Sequence, residues 1–335
     1  MAMLSIGSPM FKIKLRNLWI KTSRNLPTYF RLLRWKNLLM LGFSLAVVRY
    51  GIVLRLVDES EAMQQNSHTV FLLLSIATLL IAAAGYIIND YYDLKIDLLN
   101  KPSQMVLGRI MSTTRGIVLY AFLNLAGLVA GALASVKTGH VFLFLLFILT
   151  SSLLWYYSVY LKRTLLWGNI TVGLLTALSL LLPVIFEFYL LLETPDEWIK
   201  NMRPFRQAVR VTGSLATFAF LLTLIREILK DVEDMKGDAA EQCRTLPIVA
   251  GWPTTRNLLS GLILFTIILL GLAQYYLSQV GYRWAFFWYF IAQFLLLHLF
   301  SRLPEEPQPL HLAKASRTAK SIMLIGVIGV IFLFL

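Results

Sequence analysis

Residues 82–97 read AAAGYIINDYYDLKID: an apolar run that passes, without a break, into three carboxylates at Asp90, Asp93 and Asp97. The apolar part is one of many. The chain has 335 residues, of which 58% are hydrophobic and only 15% charged, and its mean hydropathy is +0.69. Those values lie outside the range of soluble globular domains and mark an integral membrane protein. Apolar stretches near the ~20 residues that a helix needs to cross a bilayer recur along its whole length. They predict an all-α membrane protein with nine transmembrane helices, at about 38–57, 69–89, 116–136, 140–160, 168–192, 208–230, 256–278, 284–302 and 320–335. The third and fourth, split near Lys137-Thr138-Gly139, predict a tight helical hairpin.

Orientation follows from the basic residues, because cytoplasmic loops carry the excess of Lys and Arg. With nine spans and a cytoplasmic N-terminus, most of the 31 Lys and Arg fall on the cytoplasmic side, while the first loop on the other side holds Asp58, Glu59 and Glu61. The net charge of +13 is then a topology signal, and nucleic-acid binding is excluded as its explanation. Residues 1–37 form a basic, amphipathic cytoplasmic segment; FKIKLRNLWIKTSRNLPTYFRLLRWKN (11–37) mixes charge and apolar residues, unlike a cleaved signal. It reads either as an interfacial segment on anionic membrane lipids or as a topology signal alone. Residues 38–335 form a single transmembrane domain, in which 193–207 reads as a longer external loop serving as a simple connection. The one cysteine, Cys243, allows no internal disulfide, and the four histidines lack zinc spacing.

Asp90, Asp93 and Asp97 stand at i, i+3 and i+7, which at ~100° per residue places them within a wedge of about 60° on one helical face. Like charges so placed repel, and burial multiplies the cost. Asn89 and Lys95 lie nearby, but one lysine on another face cannot neutralise three anions, so a divalent cation is the economical solution.

The arrangement then recurs. In REILKDVEDMKGDAAEQCRTLP (226–247), Asp231, Asp234 and Asp238 repeat the same spacing, again closing a span. Four spans lie between the two motifs (89–97 and 231–238), so both emerge on the same side and in the same chain direction. Two facing triads of hard oxygen ligands suit Mg²⁺, whose coordination is usually completed by substrate phosphates. Lys101, Arg109, Lys162, Arg226, Lys230 and Arg244 fall on the same face as candidate phosphate ligands. A diphosphate carrying a long hydrocarbon tail fits a polar site backed by apolar helices. Aromatic faces at Tyr86, Tyr91, Tyr92, Trp155, Tyr156, Tyr157 and Tyr160 are candidates either for stabilising a carbocation or for anchoring at the membrane interface.

NDYYDLKID fits the NDxxDxxxD motif, and the second triad with its following GD and RTLP fits the DxxDxxxD motif, of the UbiA superfamily of intramembrane prenyltransferases, which the chain resembles over essentially its whole length. The resemblance implies a nine-helix bundle around a central cavity, with Mg²⁺ and a polyprenyl diphosphate held between the motifs and the prenyl group passed to a lipophilic acceptor. It implies Asp90, Asp93, Asp231 and Asp234 as the catalytic set. Asp90, Asp93, Asp97, Asp231, Asp234 and Asp238 become metal ligands by the same match, and Asn89 completes the first motif. The segment from Asn100-Lys101-Pro102 to Gly108-Arg109 resembles the loop that follows this motif in the family, with Ser103-Gln104-Met105 in place of charged residues. RLLRWKN resembles the family's RPxN, giving Arg34 and Asn37 as diphosphate ligands, with Trp35 where proline is expected. YYSVYLK resembles its tyrosine-lysine motif, giving Lys162, although Ser158 stands where the tyrosine is expected. Lys101, Arg109 and Lys230 complete the expected diphosphate-binding set.

The second motif and its RTLP are most similar to the branch that makes digeranylgeranylglyceryl phosphate, which implies geranylgeranyl transfer to geranylgeranylglyceryl phosphate in ether lipid synthesis. The alternative is prenylation of an aromatic quinone precursor of the hydroxybenzoate, homogentisate or dihydroxynaphthoate type. A secondary transporter is a more distant alternative, since repeated halves and acids near the membrane serve transport as well.

Overall fold

The computed structural model describes residues 29–58, 60–100, 102–103, 105–307 and 309–334. Most of the N-terminal segment, and Lys101, lie outside the described residues. Among those described, nine helices are long and apolar enough to cross a membrane: α1 (Trp35–Leu56), α2 (Met63–Tyr92), α3 (Thr113–Lys137), α4 (Val141–Val159), α5 (Trp167–Leu192), α6 (Pro195–Ala240), α7 (Leu246–Val280), α8 (Arg283–Ser301) and α9 (His311–Leu333). The chain is an all-α, multi-span integral membrane bundle.

Several helices run past the apolar windows that predict them, because interfacial turns carry charge without ceasing to be helical. The largest departure corrects the expected loop at 193–207. Pro195 opens a 46-residue helix with Asp196 and Glu197 in its first turn, a start that suits both the missing proline N–H and the positive helix end. At 1.5 Å per residue this rod is ~69 Å long, about twice the hydrocarbon thickness. Its first turns are not a simple connection: Asn201 exchanges hydrogen bonds with the backbone of Asp58 (2.9 and 3.0 Å), and Trp198 packs against Phe188 and Phe205. α7 is broken near its start, where Gly251 adopts φ 74° two residues before Pro253, and α1 contains a π-helical stretch, Val47–Val53.

Packing gathers the interior into two large apolar cores and a small third. One joins α1–α5 and the first half of α6 with Ala285 of α8 and Val327, Val330 and Leu333 of α9; the second joins the later half of α6 with α7–α9; the third gathers Leu32, Ile87, Val106, Leu107 and Met111. Water offers no drive for helix association inside lipid, so close backbone approach matters. At Gly127 on α3 a Cβ would stand 2.8 Å from Ile81 and 3.2 Å from the Ala77 carbonyl of α2. α1, α2 and α5 are pinned by a buried ionic group: Arg49 Nη1 donates to Glu187 Oε2 at 2.6 Å, the two side chains being 1% and 3% exposed. Ser67 Oγ donates to the same carboxylate oxygen at 2.9 Å and accepts from Arg49.

Candidate active site

The first motif straddles a helix end. α2 stops at Tyr92, Asp93 takes the non-helical C-cap position (φ −92°, ψ 2°), and a short helix, Leu94–Asn100, follows. The single uninterrupted helical face expected for the three carboxylates is therefore turned at its middle member, although Asp97 N–H still bonds the Asp93 carbonyl at 2.8 Å. The second motif is wholly helical, because α6 continues to Ala240 instead of ending before Asp231.

Each motif is tied to other parts of the chain. Arg34, the N-cap of α1 in a left-handed conformation (φ 49°, ψ 48°), donates from Nη2 to Asp90 at 2.7 Å and lies over the Tyr86 ring at 5.0 Å. Asp93 accepts from Lys162 Nζ at 2.5 Å and from Asn89 Nδ2 at 2.8 Å. Lys162 reaches it from the turn Leu161–Arg163 after α4. Burial lowers the Lys162 ammonium from its ordinary range, against the pull of Asp93. Asp231 accepts from Asn169 Nδ2 at 2.7 Å, from the first turn of α5.

Asn100 joins the two motifs directly. Its amide donates to the Asp234 carbonyl at 3.0 Å and accepts from the Gly237 N–H at 3.0 Å. Position 237 has to be glycine for this approach, since a Cβ there would stand 2.6 Å from Asn100 Nδ2. The proximity has an electrostatic cost. Burial first, then the charges of Asp93 and Asp90, with a contribution from Asp234 across the gap, push the Asp97 carboxyl up to about 6. Among the described residues no three acidic, histidine or cysteine side chains are already gathered closely enough to hold a metal. Arg34, Lys162, Asn89 and Asn169 hold individual carboxylates instead. The donors remain hard oxygens under mutual repulsion, which is the chemistry a divalent cation takes.

Beside the motifs opens a cavity of about 270 Å³. Arg34, Asn37, Asn89, Arg226, Glu227, Lys230 and Lys320 give it a polar end, and residues of α1, α2, α4, α5, α6 and α9 wall the rest. Five wall hydroxyls bond their own helices: Ser44, Thr78, Thr150 and Thr176 donate to carbonyls four residues back and Ser179 to the one three back; the Thr223 hydroxyl has no hydrogen-bond partner among the described residues. The cavity surface is thus mostly hydrocarbon despite the sequence.

Of the expected diphosphate set, Asn89, Arg34, Asn37 and Lys230 line this cavity, and Lys162 sits on Asp93. Arg109 does not line it; its exposed side chain donates to the Pro102 carbonyl at 2.9 Å. Arg244 is likewise exposed. Of the aromatic candidates, Tyr86 and Tyr157 line the cavity, whereas Trp155, Tyr156 and Tyr160 are 44–55% exposed on the outside. Tyr157 thus faces inward where Ser158 interrupts the expected pattern. The sequence reading missed three residues here. Glu227, which accepts from Arg226 at 2.5 Å and Lys230 at 3.0 Å, was visible in principle, being four residues before Asp231 on the same helical face. Asn169 and Lys320 carry no spacing signal.

Comparison with known proteins agrees with this architecture. Residues 60–317 match the model of the UbiA prenyltransferase family. A digeranylgeranylglyceryl phosphate synthase of Methanosarcina mazei is 31% identical over 271 residues, 79% of this chain and 84% of that one. One of Ignicoccus hospitalis is 30% identical over 316 residues, 93% of each. Among solved structures, a digeranylgeranylglyceryl phosphate synthase superposes with a TM-score of 0.60 at 23% identity, over 92% of this chain and 99% of the other. A UbiA homolog from Archaeoglobus fulgidus bound to DMAPP and Mg²⁺ superposes with a TM-score of 0.51 at 18% identity, over 90% and 98%. The transporter alternative falls with these matches: the chain belongs to the UbiA prenyltransferase family.

Proposed function

We propose that this protein transfers a prenyl group from a polyprenyl diphosphate to a lipophilic acceptor in a Mg²⁺-dependent reaction, and that the reaction is geranylgeranyl transfer to geranylgeranylglyceryl phosphate. The observation that carries it is the Asn100 bridge, which brings two aspartate triads together beside an apolar cavity with a cationic mouth. The printed names of the relatives support the acceptor, and the A. fulgidus homolog supports the metal and the allylic diphosphate.

Asp90, Asp93 and Asp97 on one side and Asp231, Asp234 and Asp238 on the other would hold the metal. When bound, Mg²⁺ neutralises the diphosphate and so assists its departure. Arg34, Lys162 and Lys230, with Asn89 and Asn37, bind the remaining phosphate oxygens. The apolar wall holds the tail and keeps water from the reacting carbon. Tyr86 and Tyr157 present ring faces to the positive charge that grows on the allylic carbon as its C–O bond breaks. The electron pair leaves with the diphosphate, and the glycerol hydroxyl forms the new ether bond and releases its proton. Residues 38–335 act as one domain. The excess of Lys and Arg in the loops on one side supports a cytoplasmic N-terminus and cytoplasmic aspartates.

Product analysis by mass spectrometry tests the reading. Purified protein receives geranylgeranyl diphosphate, Mg²⁺ and, in parallel, geranylgeranylglyceryl phosphate, 4-hydroxybenzoate, homogentisate or dihydroxynaphthoate, with Asp93→Ala as the control. An ether lipid absent from the control is expected. Prenylation of an aromatic alone would overturn the acceptor and leave the site intact.

A further inference from the structure

The polar end of the cavity holds more positive charge than the aspartates answer. Arg34 and Lys162 are each paired with a carboxylate, Asp90 and Asp93. Lys320, on α9, is different. Its half-buried side chain makes one hydrogen bond, to Asn37 Oδ1, and no ion pair among the described residues. The charges that act on it most are Arg226 and Lys36, both positive. Arg226 and Lys230 share one carboxylate, Glu227, so this corner has a surplus of cations in a partly desolvated place. Such an arrangement is unfavourable until an anion enters.

Arg34 and Lys162 donate to Asp90 and Asp93, whereas Lys320 and Arg226 pair with no aspartate among the described residues. Toward the membrane interior the corner continues into Met40 and Leu41 of α1 and Met323 and Val327 of α9. An anion bound here therefore has hydrocarbon beside it. A phosphomonoester carried on an isoprenoid chain has that chemistry. Resting on the functional reading above, we infer that Lys320, with Arg226, binds the phosphate of the acceptor, leaving the glycerol hydroxyl free to face the donor held by the aspartates. Lys320 thereby sets selection for a phosphorylated acceptor.

The test uses the purified full-length protein, with Lys320→Met removing the charge at similar length and Lys320→Arg restoring it. Acceptor and donor KM are measured separately. Binding of geranylgeranylglyceryl phosphate is compared with that of geranylgeranylglycerol, which lacks the phosphate, and inorganic phosphate is added as competitor. Lys320→Met is expected to raise the KM and Kd of the phosphorylated acceptor by roughly tenfold or more. It should raise the donor KM by a smaller factor, because Lys320 donates to Asn37, and abolish the preference for phosphorylated over dephosphorylated lipid; Lys320→Arg recovers both. Equal increases in donor and acceptor KM, or an unchanged acceptor KM, overturn the assignment. Lys320-dependent binding of inorganic phosphate without discrimination between the two lipids also overturns it, in favour of a free-phosphate site. Failure of the functional reading shows in the wild type alone, as absence of lipid product and lipid binding, and removes the inference with it. Wild-type turnover with unaltered Lys320→Met removes only the role of Lys320.

Discussion

Lys162 Nζ stands 2.5 Å from Asp93 Oδ1, joining the turn after α4 to the C-cap of α2. The lysine is 9% exposed and the aspartate 18%, so this pair lies close to out of water in a region already crowded with carboxylates. A charge-assisted bond in that setting contributes about 1.5–3 kcal/mol. Lys162→Met is expected to lower kcat/KM by roughly 10–100-fold, and Lys162→Arg to recover part of it. Steady-state kinetics at saturating Mg²⁺ checks this; a change below about twofold would show that Lys162 neither positions Asp93 nor binds substrate.

Asn100 holds the short helix after the first motif against α6 through two hydrogen bonds. Asn100→Ala removes both at once, and Gly237→Ala inserts a methyl where the amide sits. Each is expected to cost about 1–3 kcal/mol of stability and to raise the Mg²⁺ concentration that gives half-maximal activity. Thermal unfolding in detergent and a Mg²⁺ titration read the two effects. Unchanged metal dependence in a folded Asn100→Ala would mean that the triads find each other without the bridge.

Tyr157 lines the cavity whereas Tyr156 is 44% exposed on the outer face, a contrast that predicts different effects of removing the two rings. Tyr157→Ala should lower kcat by roughly 3–30-fold, the range of a partly desolvated cation–π contact, and Tyr157→Phe should retain most activity. Tyr156→Ala should leave kcat within about twofold. Equal losses at both positions would count against the assigned ring.

The Arg49–Glu187 pair predicts a stability effect without a role in chemistry. Glu187→Ala removes the carboxylate that Arg49 Nη1 and Ser67 Oγ donate to and is expected to cost about 3–5 kcal/mol. The double change Arg49→Met, Glu187→Leu removes both charges and should restore most of that loss. Melting temperatures of the three proteins decide it; a double variant as unstable as the single one would show that the pair itself supplies net stability.

The motif pair was legible because repulsion makes a triad of aspartates at i, i+3 and i+7 conspicuous, and because two copies four spans apart must meet on one side. Span positions were legible to within the apolar windows. The outer extension of α6 was not, although Pro195, Asp196 and Glu197 form a recognisable helix start, because hydropathy reports the hydrocarbon and not the helix. The turn at Asp93 and the inward direction of Tyr157 depend on how the chain packs. Lys320 meets Asn37 from the far end of the sequence, and no local spacing relates the two.

The hydroxyls of Ser44, Thr78, Thr150 and Thr176 are committed to their own backbones, which leaves most of the cavity wall apolar, with the Thr223 hydroxyl as an exception. A greasy wall of this kind excludes water but fixes no register along its length. The isoprenoid can slide until its charged head is caught, so the fidelity of bond formation resides at the mouth and the depth sets only how much chain is tolerated. Donors differing by one isoprene unit should then place the same carbon at the same point.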